Sequence, residues 1–495
     1  MADWPLLSLL LLTYPIGALL VWLAPRSITP RSLALTVHAV GLLFSLLALS
    51  QFDSSRSDFQ LSEQANWIPS LNIHYAVGVD GISVLFLPAT ALLFLGVTLA
   101  SWNTIRNLPH LYHSLLMLQG GATLGVFCAT DTMLFFLFWE LSLVPFYFLV
   151  SLWGSGPHRV YAATKYTLIM FAGGVPLLFG FLVLAFNYAS YSGAGLPAGL
   201  SFDLQTLLGM PLPVEVEWAV FLLLLLGFAV KTPVFPLHTW LPLMSMEGPA
   251  AVVALLTGLK LGAYGLIRFA IPLAPEAAQS LHWLLAGLGA IGVLYGAVAA
   301  LAQTNMRAML AYSSLSHVGL VLLGIASFNL QGVQGAVLQL LNFTLVAGGL
   351  FLIAAFLQQR LGSTDVISLG GAARSMPLLA SFFLFFGVAS MGIPGTSGFP
   401  AELLILVSAI KTHTGAGLAA LFGMVLGAAY FLNIYRKAFF GPVVQPAVSA
   451  SSDLRPRELG VVVVFSLIVL AVGLYPAPIL ELIRPAAEAW VFKLK

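Results

Sequence analysis

The chain has 495 residues, of which 60% are hydrophobic and only 8% are charged, and its formal net charge at pH 7 is +2. Soluble domains average about 25% charged residues, so this composition indicates a protein of many membrane-spanning helices and excludes a large soluble domain. The near-neutral charge gives no indication of nucleic-acid binding. One cysteine, Cys128, cannot form an internal disulfide or hold an iron–sulfur cluster.

Apolar runs of about 20 residues mark the expected spanning helices. The first run lacks a basic leader and a cleavage site, which favours a spanning helix over a removed signal. The predicted fold is all-α, with fourteen spans at 5–24, 33–51, 81–101, 111–129, 132–152, 162–188, 216–240, 249–271, 279–302, 307–326, 333–357, 375–409, 416–440 and 459–480. We number these spans helix 1 to helix 14.

Loop charges predict the orientation, because loops on the cytoplasmic side carry an excess of Lys and Arg. The side reached after helix 1 carries eleven: Arg26, Arg31, Arg106, Arg159, Arg307, Arg360, Arg374, Arg436, Lys437, Arg455 and Arg457. The other side carries six: Arg56, Arg268, Lys411, Arg484, Lys493 and Lys495. The excess predicts that the first side is cytoplasmic and that both termini lie on the opposite side.

Once the charges near the span ends are assigned to the loops, five remain inside the predicted spans, where each costs ~2.5–3.5 kcal/mol even on lenient insertion scales. They are three lysines and two glutamates: Lys165, Lys231, Lys260, Glu140 and Glu402. A chain that keeps such charges has a use for them, and the usual use is the movement of ions or protons.

Two predicted spans are interrupted by proline and glycine beside a buried charge. Pro233 and Pro236 follow Lys231 in helix 7. The segment MGIPGTSGFPAELLIL, with Pro394, Gly395 and Gly398, precedes Glu402 in helix 12. Because proline removes a backbone donor and clashes with the preceding turn, both helices should be discontinuous. Paired broken helices of opposite direction indicate an inverted-repeat transporter with a site at mid-membrane. The plain alternative is that proline and glycine are common in membrane helices.

These motifs also resemble a known family. The segments FLFWELSLVPFYFLV, VKTPVFPLHTWLP, LAYSSLSHVGLVLLGIASF, GIPGTSGFPAELLIL and YRKAFFGP, between Tyr75 and Pro442, are similar to the antiporter-like chain 4, or M subunit, of complex I. The run GIASFNLQGVQGAVLQL looks most like the photosynthetic form of cyanobacteria and chloroplasts. The resemblance implies fourteen helices with helices 4–8 and 9–13 as inverted repeats. The predicted regions are the N-terminal helices 1–3 at 1–110, the first repeat at 111–271, the second repeat at 279–440, and helix 14 with the tail at 458–495.

The resemblance also implies a proton relay. Glu140 would pair with Lys231, within direct or single-water contact; Lys260 would be the central relay group; and Glu402 would be the exit or the coupling group. These residues and His317 should lie at similar depth. The alternatives are a static ion pair for Glu140 and a carboxylate favoured by the helix dipole for Glu402. His238 and His317 are relay candidates or hydrogen-bonded core histidines. Lys165 has a functional role or extends to the surface.

Departures from the family pattern indicate a specialised variant. After WLP the family usually has Asp-Ala-His, and here Leu243, Met244 and Ser245 occupy those positions. In helix 11, Phe343 stands where a relay histidine is expected, so proton passage must use water, Asn342 and Thr344, or be weaker. The hydroxyls of Tyr312, Ser313, Ser314 and Ser316 could hold such water, although hydroxyls also bond within helices.

Three functions stay open at the sequence level. The first is a proton-translocating subunit of a photosynthetic complex I in a thylakoid membrane, with the variant that supports carbon dioxide uptake as one form of it. As an enzyme subunit it would have no redox centre of its own: no metal site is predicted, and the quinone and iron–sulfur clusters would lie in partner subunits. The second is a subunit of a multi-subunit cation/proton antiporter. The third is a membrane anchor for a soluble carbonic-anhydrase-like module. Partners in every case are other membrane subunits and lipid.

Overall fold

The computed structural model describes residues 4–25, 27–193, 195–197 and 199–494. Helices dominate it, as the apolar runs predict. The first half contains α1 (Leu6–Leu23), α2 (Pro30–Gln51), α3 (Phe86–Ala100), α4 (Pro109–Cys128), α5 (Thr132–Leu141), α6 (Leu143–Trp153), α7 (Arg159–Ser192), α8 (Leu204–Leu208), α9 (Val214–Lys231), α10 (Trp240–Glu247), α11 (Ala250–Gly258) and α12 (Leu261–Gly265). A π-helical turn, Leu266–Ala270, follows α12 directly.

The second half repeats this helical character. It contains α13 (Pro275–Ser280), α14 (His282–Leu301), α15 (Met306–Ala326), α16 (Leu330–Asn342), α17 (Gly348–Leu361), α18 (Val366–Leu369), α19 (Pro377–Ser390), α20 (Gly398–Thr412), α21 (Thr414–Phe439), α22 (Pro446–Ala450), α23 (Pro456–Leu474) and α24 (Ala477–Phe492). A second π-helical turn, Phe343–Ala347, joins α16 to α17.

Each of the fourteen predicted spans coincides with one of these helices or with a pair separated by a break. Ten helices of the described chain are long and apolar enough to cross a membrane on length and composition alone. Of the other four spans, helix 3 is shorter and apolar, helix 4 is less apolar, and helices 7 and 12 are divided. The prediction of an all-α membrane protein is confirmed.

The two predicted breaks are present. Helix 7 ends at Lys231 with α9 and resumes at Trp240 with α10, and Pro233 and Pro236 lie between them. Helix 12 ends at Ser390 with α19 and resumes with α20. Gly395 in this second break has a φ of +92°, which only glycine adopts readily, so the backbone can turn there without strain.

Helix 8 differs from the continuous span that we predict for 249–271. It is interrupted between Gly258 and Leu261, so that Lys260 lies in the break. The carbonyl oxygen of Gly258 has no helical donor there, and instead accepts a hydrogen bond from Thr344 Oγ1 at 3.0 Å. A side chain of helix 11 thus replaces the missing helical bond, which the sequence of helix 8 alone does not indicate.

A β-hairpin and a C-terminal helix are among the elements that lie wholly or largely outside the predicted spans. A β-hairpin of β1 (Gln60–Ile68) and antiparallel β2 (Ile73–Val79) lies between helices 2 and 3. The predicted C-terminal span 459–480 ends earlier, at Leu474, and part of the expected tail forms α24. Its buried residues Ile483, Ala486, Ala487 and Trp490 recur at helical spacing, so α24 is amphipathic rather than spanning.

Two arginines that we expected in loops are buried instead. Arg268 lies in the π-helical turn after α12, and its Nη1 and Nη2 both donate to the buried carboxylate of Asp80, the Nη1 contact being 2.8 Å. Arg307 donates to Gly248 O and Gln358 Oε1, each at 2.5 Å. Both arginines are tolerated inside the protein because the guanidinium of each is hydrogen-bonded to protein acceptors. Two other predicted loop charges, Arg26 and Lys495, lie outside the described residues.

The Asp80–Arg268 pair generates a stability prediction. Asp80→Asn should destabilise the protein by ~3–5 kcal/mol, because it leaves a buried guanidinium without its counter-charge. Asp80→Asn combined with Arg268→Met should recover most of the loss. The thermal midpoint of the purified protein in detergent measures both effects.

Glu488→Gln is the matched control, since it breaks an exposed pair with Arg484 and should change the midpoint little. Equal midpoints for Asp80→Asn and the control would show that the buried pair does not stabilise the fold.

Candidate functional site

The buried charges of the predicted relay lie at helix breaks. Lys231 is the last residue of α9, and Lys260 precedes α12 in the break of helix 8. Glu140 lies two residues before Ser142, where α5 gives way to α6, and Glu402 lies in the first turns of α20 after the break in helix 12. Breaks leave backbone carbonyls unpaired, and in a membrane interior such groups can satisfy an otherwise costly ammonium or imidazole.

Lys231 is held by the junction between α5 and α6. Its Nζ donates to the carbonyl oxygen of Trp139 at 3.0 Å and to Ser142 Oγ at 2.8 Å. The same ammonium lies 4.0 Å from the centroid of the Trp139 ring, a cation–π contact. Two of the three N–H donors of the lysine are therefore hydrogen-bonded, and the Trp139 ring lies against the ammonium.

Glu140 does not contact Lys231 directly. None of the ion pairs within 4.0 Å in the described chain joins these two residues. Glu140 Oε1 is buried without a hydrogen-bond partner and faces Gly174 of α7, where an added Cβ would contact it. Successive side chains of a helix point about 100° apart, so Trp139 and not Glu140 faces Lys231. The direct contact that we expected is therefore not formed, and a water-mediated contact stays a prediction.

Lys260 has few polar neighbours. Its side chain is buried, with 4% of the residue exposed, and Nζ donates to Leu256 O at 3.3 Å. The ammonium lies 5.2 Å from the centroid of the Phe343 ring. No carboxylate of the described chain lies within ion-pair distance of it. Because burial without a counter-charge disfavours the ammonium, Lys260 is suited to exchange its proton.

His317 and Glu402 form the other end of the site. His317 Nε2 lies 3.5 Å from Glu402 Oε1 and 2.7 Å from the carbonyl oxygen of Ser390, which ends α19 at the break. His317 Nδ1 lies 2.8 Å from Ser313 O. A neutral imidazole has only one N–H, so the doubly protonated ring would satisfy both carbonyls and Glu402 would balance its charge.

Polar side chains of helix 11 extend this end of the site. Gln339 Nε2 donates to Glu402 Oε1 at 3.4 Å, and Asn342 Nδ2 donates to Gln339 Oε1 at 3.4 Å. Ser397, in the break of helix 12, donates to Asn342 Oδ1 at 2.5 Å. Gln339 was not among the predicted residues. Its signal is a glutamine three residues before Asn342 in an otherwise apolar run, LQLLNF.

Phe343 separates the two ends. Its ring contacts His317 edge to face, with centroids 6.1 Å apart, and the Lys260 ammonium lies on the same ring. A phenyl ring can neither donate nor accept a transferable proton. The residue that departs from the family pattern thus lies between Lys260 and His317, with its ring against both side chains.

The remaining candidates lie apart from this series. His238, in the break of helix 7, is buried among the rings of Phe235, Tyr295 and Tyr312, and its Nδ1 has no partner in the described chain. Lys165 lies in the second turn of α7, is partly exposed, and forms no ion pair with a described residue. The structure brings together Lys260, His317 and Glu402.

The site contains no recognisable metal-binding cluster. Among the described residues, no group of three or more histidine, cysteine or acidic side chains could hold a metal ion. Cys128 is a free, buried thiol. The chemistry available to this arrangement is proton transfer between lysine, histidine and carboxylate groups.

Comparison with known proteins agrees with this geometry. Residues 129–427 match the family described as NADH:quinone oxidoreductase/Mrp antiporter, TM. The chain is 37% identical to NADH-quinone oxidoreductase subunit M of Pseudomonas aeruginosa, over 94% of each chain. It is also 37% identical to NAD(P)H-quinone oxidoreductase chain 4 1 of Synechococcus sp., over 96% of this chain and 90% of that protein.

A solved structure shows the same fold at full length. A chain of respiratory complex I from Thermus thermophilus superposes with a TM-score of 0.90 and 32% identity, covering 99% of this chain and 100% of that one. The described helices, breaks and buried charges are thus set in a fold that is shared with complex I.

Proposed function

This chain belongs to the NADH:quinone oxidoreductase/Mrp antiporter transmembrane family, and we propose that it is the antiporter-like, proton-translocating membrane subunit of a complex I-type quinone oxidoreductase. The observation that carries the proposal is the interior series Lys260, His317 and Glu402, with Phe343 between its members. Buried ionisable groups of this kind, facing the bundle interior, mark proton pathways in membrane proteins.

In the proposed relay, each titratable side chain has few polar or charged partners, so it can gain or lose a proton at low cost. Lys260 lacks a counter-charge, so its proton can leave without breaking an ion pair. His317 can take a proton on one ring nitrogen and release the proton from the other towards Glu402. In a low-dielectric interior, a change of charge on one group alters the proton affinity of its neighbours, which couples the successive transfers.

Lys231 and Glu140 would control entry to this series. Lys231 is hydrogen-bonded to the junction of α5 and α6. Glu140 lies near the same junction, and its Oε1 has no hydrogen-bond partner in the described chain. Movement of the junction would change the separation of the two charges. Pro233 and Pro236 in one break, and Pro394, Gly395 and Gly398 in the other, would act as the hinges of such movements.

Quinone reduction would take place in partner subunits and drive the relay from outside this chain. The Lys and Arg distribution supports termini on the non-cytoplasmic side. The run GIASFNLQGVQGAVLQL and the similarity to a cyanobacterial chain 4 support a thylakoid location. The divergence at Leu243 to Ser245 and at Phe343 supports the carbon dioxide uptake variant.

Purification of the chain with its natural partners tests the assembly. We expect quinone-oxidoreductase subunits, including sister antiporter-like chains, to copurify in constant ratio and to be identified by mass spectrometry. Subunits of a cation/proton antiporter in their place would contradict the proposal. A soluble carbonic-anhydrase-like protein beside the oxidoreductase subunits would identify the uptake variant.

Substitution of Lys260 tests the relay. Lys260→Met keeps the length of the side chain but removes the titratable group, so the complex should assemble and lose most proton translocation. Lys260→Arg should fail nearly as badly, because a guanidinium stays protonated at working pH. Acidification of liposomes containing the complete complex measures the effect.

Lys411→Met is the matched control, since it removes an exposed lysine at the end of α20. Normal translocation by Lys260→Met, with translocation by the control also normal, would show that Lys260 is structural.

A further inference from the structure

A small cavity with both apolar and polar side chains in its wall lies beside the ring that interrupts the relay. Its volume is about 30 Å³, and it is lined by helices 10, 11 and 12. The polar side chains in its wall are Ser313, Ser314, His317, Gln339, Asn342 and Ser390. Phe343 is also part of the wall, with the Lys260 ammonium against the same ring.

The hydroxyl of Ser314 is the unusual group of this wall. The residue is 3% exposed, and its Oγ has no hydrogen-bond partner in the described chain. Leaving a buried hydroxyl unpaired costs ~1–3 kcal/mol, so such a group normally has a partner. Asn342 donates one amide N–H to Gln339, and an amide nitrogen carries two. Ser314 and Asn342 therefore offer hydrogen-bonding capacity to something within the cavity.

The size of the cavity selects the ligand. To hold one water molecule, a cavity needs at least about 10–15 Å³ in which the centre of the water can lie, and two to four polar partners. The cavity meets both requirements for one or two waters, and it is too small for a lipid chain or a quinone ring.

We propose that one or two ordered waters, held by Ser314 and Asn342 in this cavity, carry protons past Phe343 and take the place of the missing relay side chain. This inference rests on the proposed function and names the group that completes its relay. Ser314 is assigned as the residue that positions the water, and Phe343 as the wall whose displacement admits the Lys260 proton.

The proposed transfer conserves atoms and charge. Lys260 loses a proton to the cavity water and becomes a neutral amine, and the water passes one of its own protons to a ring nitrogen of His317. His317 then releases the proton of its other nitrogen to Glu402, from 3.5 Å away. His317 also lines a second cavity of about 10 Å³ next to Glu402 and Tyr430, so the imidazole connects the two spaces.

Substitution of Ser314 tests this inference in the complete complex reconstituted in liposomes. Ser314→Val removes the hydroxyl and fills the space, and we expect proton translocation to fall about 100-fold, the lower end of the range for loss of one positioned proton-transfer group. Ser314→Ala should have a smaller effect in the same direction. Phe343→His, added to Ser314→Val, should restore translocation because a side chain then bridges the gap directly.

Ser466→Val is the matched control. Ser466 of α23 is also buried with an unpartnered hydroxyl, but it does not line the cavity. It should translocate protons normally. If Ser314→Val translocates as well as this control while Lys260→Met is inactive, the water site is wrong and the relay stands. If Lys260→Met is fully active, the relay and the water site both fail.

A second measurement applies if Ser314→Val does not assemble. A high-resolution map of the unmodified complex should show water density within hydrogen-bonding distance of Ser314 Oγ. Absence of that density in a map that resolves other buried waters would overturn the inference.

Discussion

The cost of placing a charge or an unpaired backbone group in hydrocarbon constrains this structure more than any other interaction. A helix break can lower both parts of that cost, because an unpaired backbone carbonyl and a charged side chain can bind each other. The carbonyl of Trp139 binds Lys231, and the carbonyl of Ser390 binds His317. At the break of helix 8 the carbonyl of Gly258 binds Thr344. The α5–α6 junction and the break of helix 12 therefore supply carbonyl partners to a titratable side chain, whereas the free carbonyl at the break of helix 8 binds Thr344 and leaves Lys260 with few polar partners.

Buried charges are treated in two contrasting ways. Asp80 and Arg268 are joined by two hydrogen bonds. The backbone N–H groups of Ile82 and Ser83 also donate to the Asp80 carboxylate. Such a pair is fixed, since loss of either partner leaves an uncompensated charge. Lys260 and Glu140 have no opposite charge in contact. Groups without a matched partner can change protonation state at lower cost, which is what a relay needs and what a structural pair avoids.

The sequence predicts the elements that follow from composition and local chemistry. Apolar run length locates the fourteen spans, and Pro233, Pro236 and Pro394 locate two breaks, because both signals act within one segment. The break at Lys260 depends on Thr344 of another helix, and the burial of Arg268 depends on Asp80, 188 residues away. Such tertiary partners leave no local signal. Likewise, Glu140 and Lys231 appear as a pair in the sequence, but the rotation of α5 turns Trp139 towards the lysine.

The number of protons translocated for each quinone reduced tests the central claim most directly, because it separates transport from catalysis in partner subunits. Glu402→Gln keeps the size and the hydrogen bonds of the side chain but cannot accept a proton. In liposomes containing the complete complex, we predict that this variant gives a lower ratio than the unmodified protein while quinone reduction continues. An unchanged ratio in a fully assembled Glu402→Gln complex would contradict a relay through Lys260, His317 and Glu402.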